Sequence, residues 1–288
     1  MSCSIYYRHA NLRISSLGLG CSRFGSYGGA SKDVARSLIH SALDQGINHF
    51  DTAACYGQGD SERILGEYLP QSGDSFVVTK VGKVVPFKAI LLSPVKRLVR
   101  AVSSFHPMAK AVVVARRPRL LSTCFNPSYL SSQLHSSLKR LRRDTVSLTM
   151  LHGPSLEVLM DGGAIDCLTR AQQKGNVQHI GVSVDDIDAA NAALLDPRIE
   201  FIQIPFGSSD LDFRDWSIHA TTAGKLIIAR EIFRLRPDLS QAPPNAMTHV
   251  PENLRRCFDS PSICSTLIGT TNPLHLQESI DIWKSGTL

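Results

Sequence analysis

The sequence predicts an α/β protein: a single-domain (β/α)8 barrel with a basic helical insert after the third strand. Three observations lead there. Eight short apolar runs alternate with helix-like segments along nearly all of the 288 residues. Strands that alternate with helices pair in parallel, because parallel neighbours need crossover connections. Eight such units in about 250 residues favour a closed barrel over an open doubly wound sheet. No linker-like stretch or internal repeat divides the chain, so residues 1–288 read as one domain.

The strands are read at residues 16–20, 47–51, 76–80, 146–151, 179–182, 201–204, 226–229 and 265–268. Ser31 caps a helix whose Val34, Leu38, Ile39, Ala42 and Leu43 share one face, and Gly46 stands just past its end. Asn126 and Pro127 open another, with Leu130, Leu134, Leu138 and Leu141 on a stripe; Lys139, Arg140, Arg142 and Arg143 suit the negative end of its dipole. Residues 156–174, 185–195 and 273–283 read as helices too. Residues 5–14, ahead of the first barrel strand, are expected to form a small hairpin.

Composition excludes several classes. With 43% hydrophobic and 19% charged residues the chain can bury a core and is not disordered. The longest apolar runs, such as Val112–Ala115, are far too short to cross a membrane. The first residues lack an apolar signal region, so a cytoplasmic protein is expected. Seven cysteines with no C-x-x-C spacing suit reduced thiols better than a disulfide framework or a zinc site, and no metal is expected.

The formal net charge of +6 is uneven. Between Ser75 and Arg143 there is no Asp or Glu but 14 Lys and Arg, so the rest of the chain is net acidic. Residues 83–125 hold nine of these charges, on the face where the barrel mouth is expected. Ser93 and Pro94 start a helix with Val95, Leu98, Val99 and Val102 on one side and Lys96, Arg97 and Arg100 on the other; Ala109–Ala115 is a second piece. The ordinary reading is a helical lid with solvated charges. The sharper one is a surface that attracts an anionic substrate, an acidic carrier protein or an anionic membrane. Stacking aromatics are sparse there (Phe87, Phe105, Phe125), so nucleic acid is not an expected partner.

In a barrel of this kind the chemistry sits where strands end and βα-loops begin. Asp51, Lys80 and His152 stand at such ends, and Tyr56 lies five residues past Asp51. Singly each has an ordinary role: a helix cap, a snorkelling lysine, a turn histidine, a core tyrosine. Together they form an acid. A phenol near pKa 10 is too weak to act at neutral pH, but a buried ammonium beside it favours the phenolate. A carboxylate keeps that ammonium charged and in place, and an imidazole orients a carbonyl or shares the proton. The set suits protonation of an oxygen that becomes an alkoxide as hydride reaches carbon.

The motifs that carry these residues resemble the aldo-keto reductase family over most of the chain. Gly46–Gly57 with Gly59–Gly66, Val78–Gly82, Ser137–Leu141 leading to Leu151–Pro154, and Gly175–Ser183 match its landmarks in order and spacing. The resemblance implies a nicotinamide dinucleotide, NADP(H) favoured over NAD(H), and a small-molecule carbonyl substrate. It makes Tyr56 the general acid, Lys80 and Asp51 its tuning pair and His152 the carbonyl-orienting group. Gly20 and Asp51 then count as cofactor-binding, Ser183, Gln203 and Phe206 belong to the nicotinamide seat, Arg230 or Arg234 to the pyrophosphate, and Gly269, Thr270, Asn272, His275 and Glu278 to the adenosine end. Phe24, Tyr27 and Cys55 are expected to line the substrate pocket. The sequence departs from the pattern at Val184, where an Asn is usual, and at Phe206, where a Tyr is usual. It departs again after the seventh strand, where Ala229–Arg236 lacks the usual Pro and Gly, and at Gly269, His275 and Gln277, where Lys or Arg is common. Two other classes remain: a catalytically quiet, cofactor-binding regulatory relative, and a lyase-type barrel using Lys80 as a Schiff base.

Overall fold

The computed structural model describes residues 6–9, 12–26, 28–71, 73–84, 122–207, 211–233 and 250–286. A hairpin, β1 (Tyr6–His9) and β2 (Leu12–Ser15), precedes the barrel. The barrel strands are β3 (Leu17–Gly20), β4 (His49–Asp51), β5 (Phe76–Val81), β8 (Val146–His152), β9 (Val177–Ser183), β10 (Phe201–Pro205), β11 (Leu226–Arg230) and β12 (Ile263–Ile268). They close in that order, β12 pairing with β3, and all their pairings are parallel. All eight predicted strands are present.

The helices are α1 (Lys32–Asp44), α2 (Asp60–Tyr68), α3 (Pro127–Leu141), α4 (Leu156–Asp161), α5 (Gly163–Gln173), α6 (Ile187–Leu195), α7 (Leu211–Thr222), α8 (Val250–Phe258) and α9 (Pro273–Ser285). The Ser31 cap forms, its side chain accepting from Val34 N, and so does the Asn126 cap on Ser128 N. The stretch read as one helix at 156–174 is two, parted at Gly162, whose φ of +76° breaks the first. Helices α2, α7 and α8 have no counterpart in the sequence reading. In α2 the reason is visible: Gly59 starts it without a side-chain cap, and Ser61, Glu62 and Gly66 are buried beside Ile64 and Leu65. A small, polar buried face erases the apolar stripe that announces a helix.

The basic insert begins and ends at one place. Lys83–Val84 (β6) and Ser122–Thr123 (β7) pair antiparallel just beyond β5, and the α3 side chain of Gln133 clamps that base through Gly82 N and Lys83 O. The helices expected at 93–102 and 109–115 lie outside the described residues.

Strand parity sorts the core. Phe76, Val78, Leu148, Met150, Phe201, Ile228, Cys264 and Leu267 fill the barrel, and Ile14 of the hairpin packs into the same cluster. The intervening residues, among them Leu17, Leu19, Phe50, Val77, Val81, Ile180, Val182, Ile202, Ile204 and Ala229, form an outer cluster with the helices. Inside, His49 occupies space that Gly18 leaves: a Cβ there would lie 2.6 Å from His49 Nδ1 and 2.9 Å from Leu267 Cδ2. Gly18→Ala is therefore expected to destabilise the fold by about 1–3 kcal/mol, the usual cost of overpacking, read as a lower urea midpoint at unchanged m.

His49 Nδ1 lies 2.8 Å from Ser265 Oγ, which itself donates to Ser15 O at 2.7 Å, so the ring nitrogen must donate. Among the described residues His49 Nε2 has no partner, and burial pushes the imidazole pKa down from 6.5 to about 4. Because the folded value is the lower one, the unfolded chain takes up the proton first as pH falls. Stability should be complete above about pH 6.5 and decline toward pH 4, by roughly 3 kcal/mol. Urea unfolding between pH 7 and 4.5 tests this; the slope should flatten in His49→Gln.

Candidate active site

On β4, β5, β8, β9, β10 and β11 the inward-facing Asp51, Lys80, His152, Ser183, Gln203 and Arg230 stand at the C-terminal end or within two residues of it. The same alternation that packs Val78 and Met150 inside brings these groups to the mouth. The loop after β4 is rigid, because it continues the sheet: Thr52 N donates to Val78 O (2.8 Å) and Ala54 N to Lys80 O (3.0 Å). Tyr56 N then donates to Ala53 O (3.0 Å), starting a 3-10 turn over Tyr56–Gly59 that holds the tyrosine above the barrel.

Behind the loop, α2 acts as a buttress. Ser61 Oγ reaches Thr52 Oγ1 and Cys21 O, both at 2.8 Å. The fully buried Glu62 accepts from Thr79 Oγ1 (2.6 Å) and pairs with Arg140 Nε (2.6 Å). Arg140, expected to serve the α3 dipole, is thus tied to α2, and Arg143 donates to Pro70 O (2.6 Å).

Asp51, Lys80, Ser183 and Gln203 are all at most 3% exposed. Lys80 Nζ donates to Asp51 Oδ1 (2.5 Å) and to Thr52 O (3.2 Å). These acceptors favour the ammonium, whereas a Schiff-base lysine must offer a neutral amine. Gln203 Nε2 donates to Asp51 Oδ2 (2.9 Å), and Ser183 Oγ donates to Gln203 Oε1 (2.9 Å). The half-buried Tyr56 ring has Lys80 Nζ 5.3 Å from its centroid. His152 stands edge to face with it, centroids 5.7 Å apart at 89°.

The electrostatics differ in one respect from the expectation. The Tyr56 phenol is pushed well above 10, by burial and then by the Asp51 charge. Lys80 does not bring it down in this state, because its charge is engaged by Asp51. Burial lowers the Lys80 pKa while Asp51 raises it, with a net decrease. Burial also holds His152 well below 6.5, helped by the positive charges of Lys80, Lys83 and Arg230, so the imidazole is neutral. Cys55 Sγ lies 3.7 Å from His152 Nδ1, and burial pushes its thiol up to about 11. In the tautomer in which the protonated thiol donates to Nδ1, the one imidazole proton sits on Nε2, available as a donor.

The remaining expected residues divide. Gly20 ends β3 at a close approach to β12, where a Cβ would meet Ile268 O at 3.3 Å. Phe24 is fully buried in the outer core, and Phe206, 5% exposed, packs in that same core. Tyr27 lies outside the described residues. Arg230 is held by Asp185 and Glu231, and donates to Val184 O at 2.8 Å. Asn272 Oδ1 accepts from Leu274 N and caps α9, and Thr270 Oγ1 accepts from Asn272 N, both at 3.0 Å, so these two side chains are engaged at the start of the helix. Gly269, His275 and Glu278 are exposed. The sequence reading missed the Gln203–Asp51 contact and the two carboxylates on Arg230. It also missed Lys83 and Asp185 at the mouth, which converge where Gly153 (φ +67°) has no side chain: a Cβ would lie 3.3 Å from Asp185 Oδ2 and 3.5 Å from Lys83 Cε. The positions of Asp185, two residues past Ser183, and of Glu231, next to Arg230, offered the signals for these.

The fold and the site define a (β/α)8 barrel with a buried carboxylate–ammonium pair, a phenol and a neutral imidazole at its C-terminal mouth. A family model described as the aldo/keto reductase family matches residues 16–215. The D-threo-aldose 1-dehydrogenase of a Pseudomonas species is 29% identical over 215 residues, which cover 68% of this chain and 57% of that protein. The oxidoreductase YqkF of Bacillus subtilis (strain 168), itself uncharacterized, is 25% identical over 210 residues, covering 72% of this chain and 57% of that protein. The chain therefore spans little more than half the length of these curated relatives. The crystal structure of PA4992 from Pseudomonas aeruginosa superposes with a TM-score of 0.77 at 22% identity, covering 99% of this chain and 96% of that one. This chain belongs to the aldo/keto reductase family of oxidoreductases. No helix among the described residues is long and apolar enough to cross a membrane.

Proposed function

We propose that the protein reduces an aldehyde or ketone to an alcohol, or runs the reverse oxidation, with a nicotinamide cofactor. The observation that carries this reading is the meeting of Tyr56, His152 and the Lys80–Asp51 pair at one mouth. His152, with its proton on Nε2, donates to the carbonyl oxygen and orients it. As hydride arrives at carbon, the C=O π pair moves to oxygen, which takes the Tyr56 proton. The phenolate left behind is stabilised by Lys80, which Asp51 holds in its ammonium form.

The residues present fit the nicotinamide end of the cofactor. A carboxamide needs one acceptor and one donor. Ser183 keeps its oxygen lone pairs and Gln203 a second N–H, after the bonds described above are counted. When bound, the cofactor supplies the hydride. At the phosphate end Arg230 is already matched by two carboxylates, and β12 and the start of α9 bring no Lys or Arg. This weakens the electrostatic pull toward NADP(H), which the family resemblance favours, and brings NAD(H) closer to it. The deciding experiment is a fluorescence titration with NADPH and NADH, followed by a panel of neutral and anionic carbonyl compounds. Binding with turnover supports the reductase. Binding without any turnover favours the regulatory relative, and absence of both ends the reading.

A further inference from the structure

We propose that Gln203 is a positioning residue for proton transfer: it holds the second oxygen of Asp51 so that the first meets Lys80, joining the carboxamide seat to Tyr56. The inference rests on the reading of Tyr56 as the acid, and it gives Gln203 a task in addition to seating a cofactor.

The Asp51 carboxylate is divided between two donors on opposite sides, Lys80 Nζ on Oδ1 and Gln203 Nε2 on Oδ2. A carboxylate 3% exposed that lost one of them would keep an oxygen that no solvent reaches. Its torsion would also be free to turn Oδ1 away from Lys80. The direction in which Gln203 points is itself fixed. Ser183 Oγ donates to Gln203 Oε1, so the amide nitrogen is the end that faces Asp51. Three hydrogen bonds thus run from β9 through β10 and β4 to β5, and the last member touches the Tyr56 ring.

The surroundings of Asp51 supply no substitute donor of equal strength. From β5 comes Lys80, from β10 Gln203, and from its own strand His49, whose proton is committed to Ser265. The segment after β3 brings the Cys21 thiol, which donates to Leu19 O at 3.4 Å, and the loop after β4 brings the Tyr56 phenol. Cys21, His49 and Tyr56 each feel the Asp51 charge, which raises their pKa values. A change in where the Asp51 charge is held therefore reaches the acid directly.

A residue that only seats a carboxamide and one that also holds Asp51 differ in the cofactor-free protein. The test is the carboxyl 13C chemical shift of Asp51 at neutral pH without cofactor, in the full chain, comparing wild type with Gln203→Met and Gln203→Asn. Methionine removes the donor at nearly constant volume, and asparagine keeps an amide but withdraws it by one methylene. Both are expected to move the Asp51 resonance, because Oδ2 loses its donor. Ser183→Ala, which frees the amide to turn without removing it, should give a smaller shift in the same direction. kcat should fall in the same order. If the Asp51 resonance is unchanged in both Gln203 variants while NADPH or NADH binding weakens, Gln203 serves the cofactor alone and the proposal is wrong. Because this measurement needs neither cofactor nor turnover, its outcome stands apart from the fate of the reductase reading.

Discussion

Tyr56→Phe is expected to lower kcat for carbonyl reduction by about 10³-fold while dinucleotide binding stays within a few-fold. The substitution removes one oxygen and one proton. The ring remains over Lys80 and beside His152, contacts that depend on its faces and edges. The phenol is fully protonated at neutral pH, so what is lost is a donor that is present in every molecule. His152 cannot replace it: its single proton on Nε2 is already the orienting group, and its depressed pKa makes the imidazolium scarce. Steady-state kinetics with a saturating reduced nicotinamide, alongside the fluorescence titration, provides the check. Turnover within tenfold of wild type would remove Tyr56 from the acid role.

Lys80→Met should cost stability as well as activity. It leaves the Asp51 carboxylate 3% exposed with Gln203 as its remaining side-chain donor, and stranding one partner of a buried pair typically costs about 3–5 kcal/mol. The double variant Asp51→Asn/Lys80→Met removes both charges. It is expected to recover much of the lost stability in urea unfolding, yet to remain inactive, because nothing then stabilises the phenolate. A double variant no more stable than Lys80→Met would mean that the two charges are not coupled as their 2.5 Å contact requires.

These expectations draw on parts of the molecule that were unequally legible in the sequence. The eight strands could be read because parallel strands are covered on both faces and appear as short apolar runs. Asp51, Lys80 and His152 could be read because each polar group interrupts such a run at its end. What escaped depends on partners far along the chain. Gln203 and Asp51 are 152 residues apart, Arg140 and Glu62 are 78 apart, and no local pattern pairs them. Arg230 stood out as a cation beside Glu231, but its pairing with Asp185 arises only when β9 and β11 are set on either side of β10 around the wall. The burial of Phe24 and Phe206 was not legible either: an aromatic beside a strand end looks the same whether it is exposed or packed in the core. The family model stops at residue 215, so the final two strands and the altered loop after β11 lie beyond the stretch it matches.

The short ladder between Lys83–Val84 and Ser122–Thr123 has a consequence for how this chain can be altered. Antiparallel neighbours lie about 5 Å apart, so the chain enters and leaves the stretch 85–121 through a single doorway. Its frame is hydrogen-bonded by α3 through Gln133. A two-residue turn would bridge that doorway without pulling on β5 or α3. Excising the segment at that doorway and assaying what is left is expected to separate the contribution of the barrel from that of the insert.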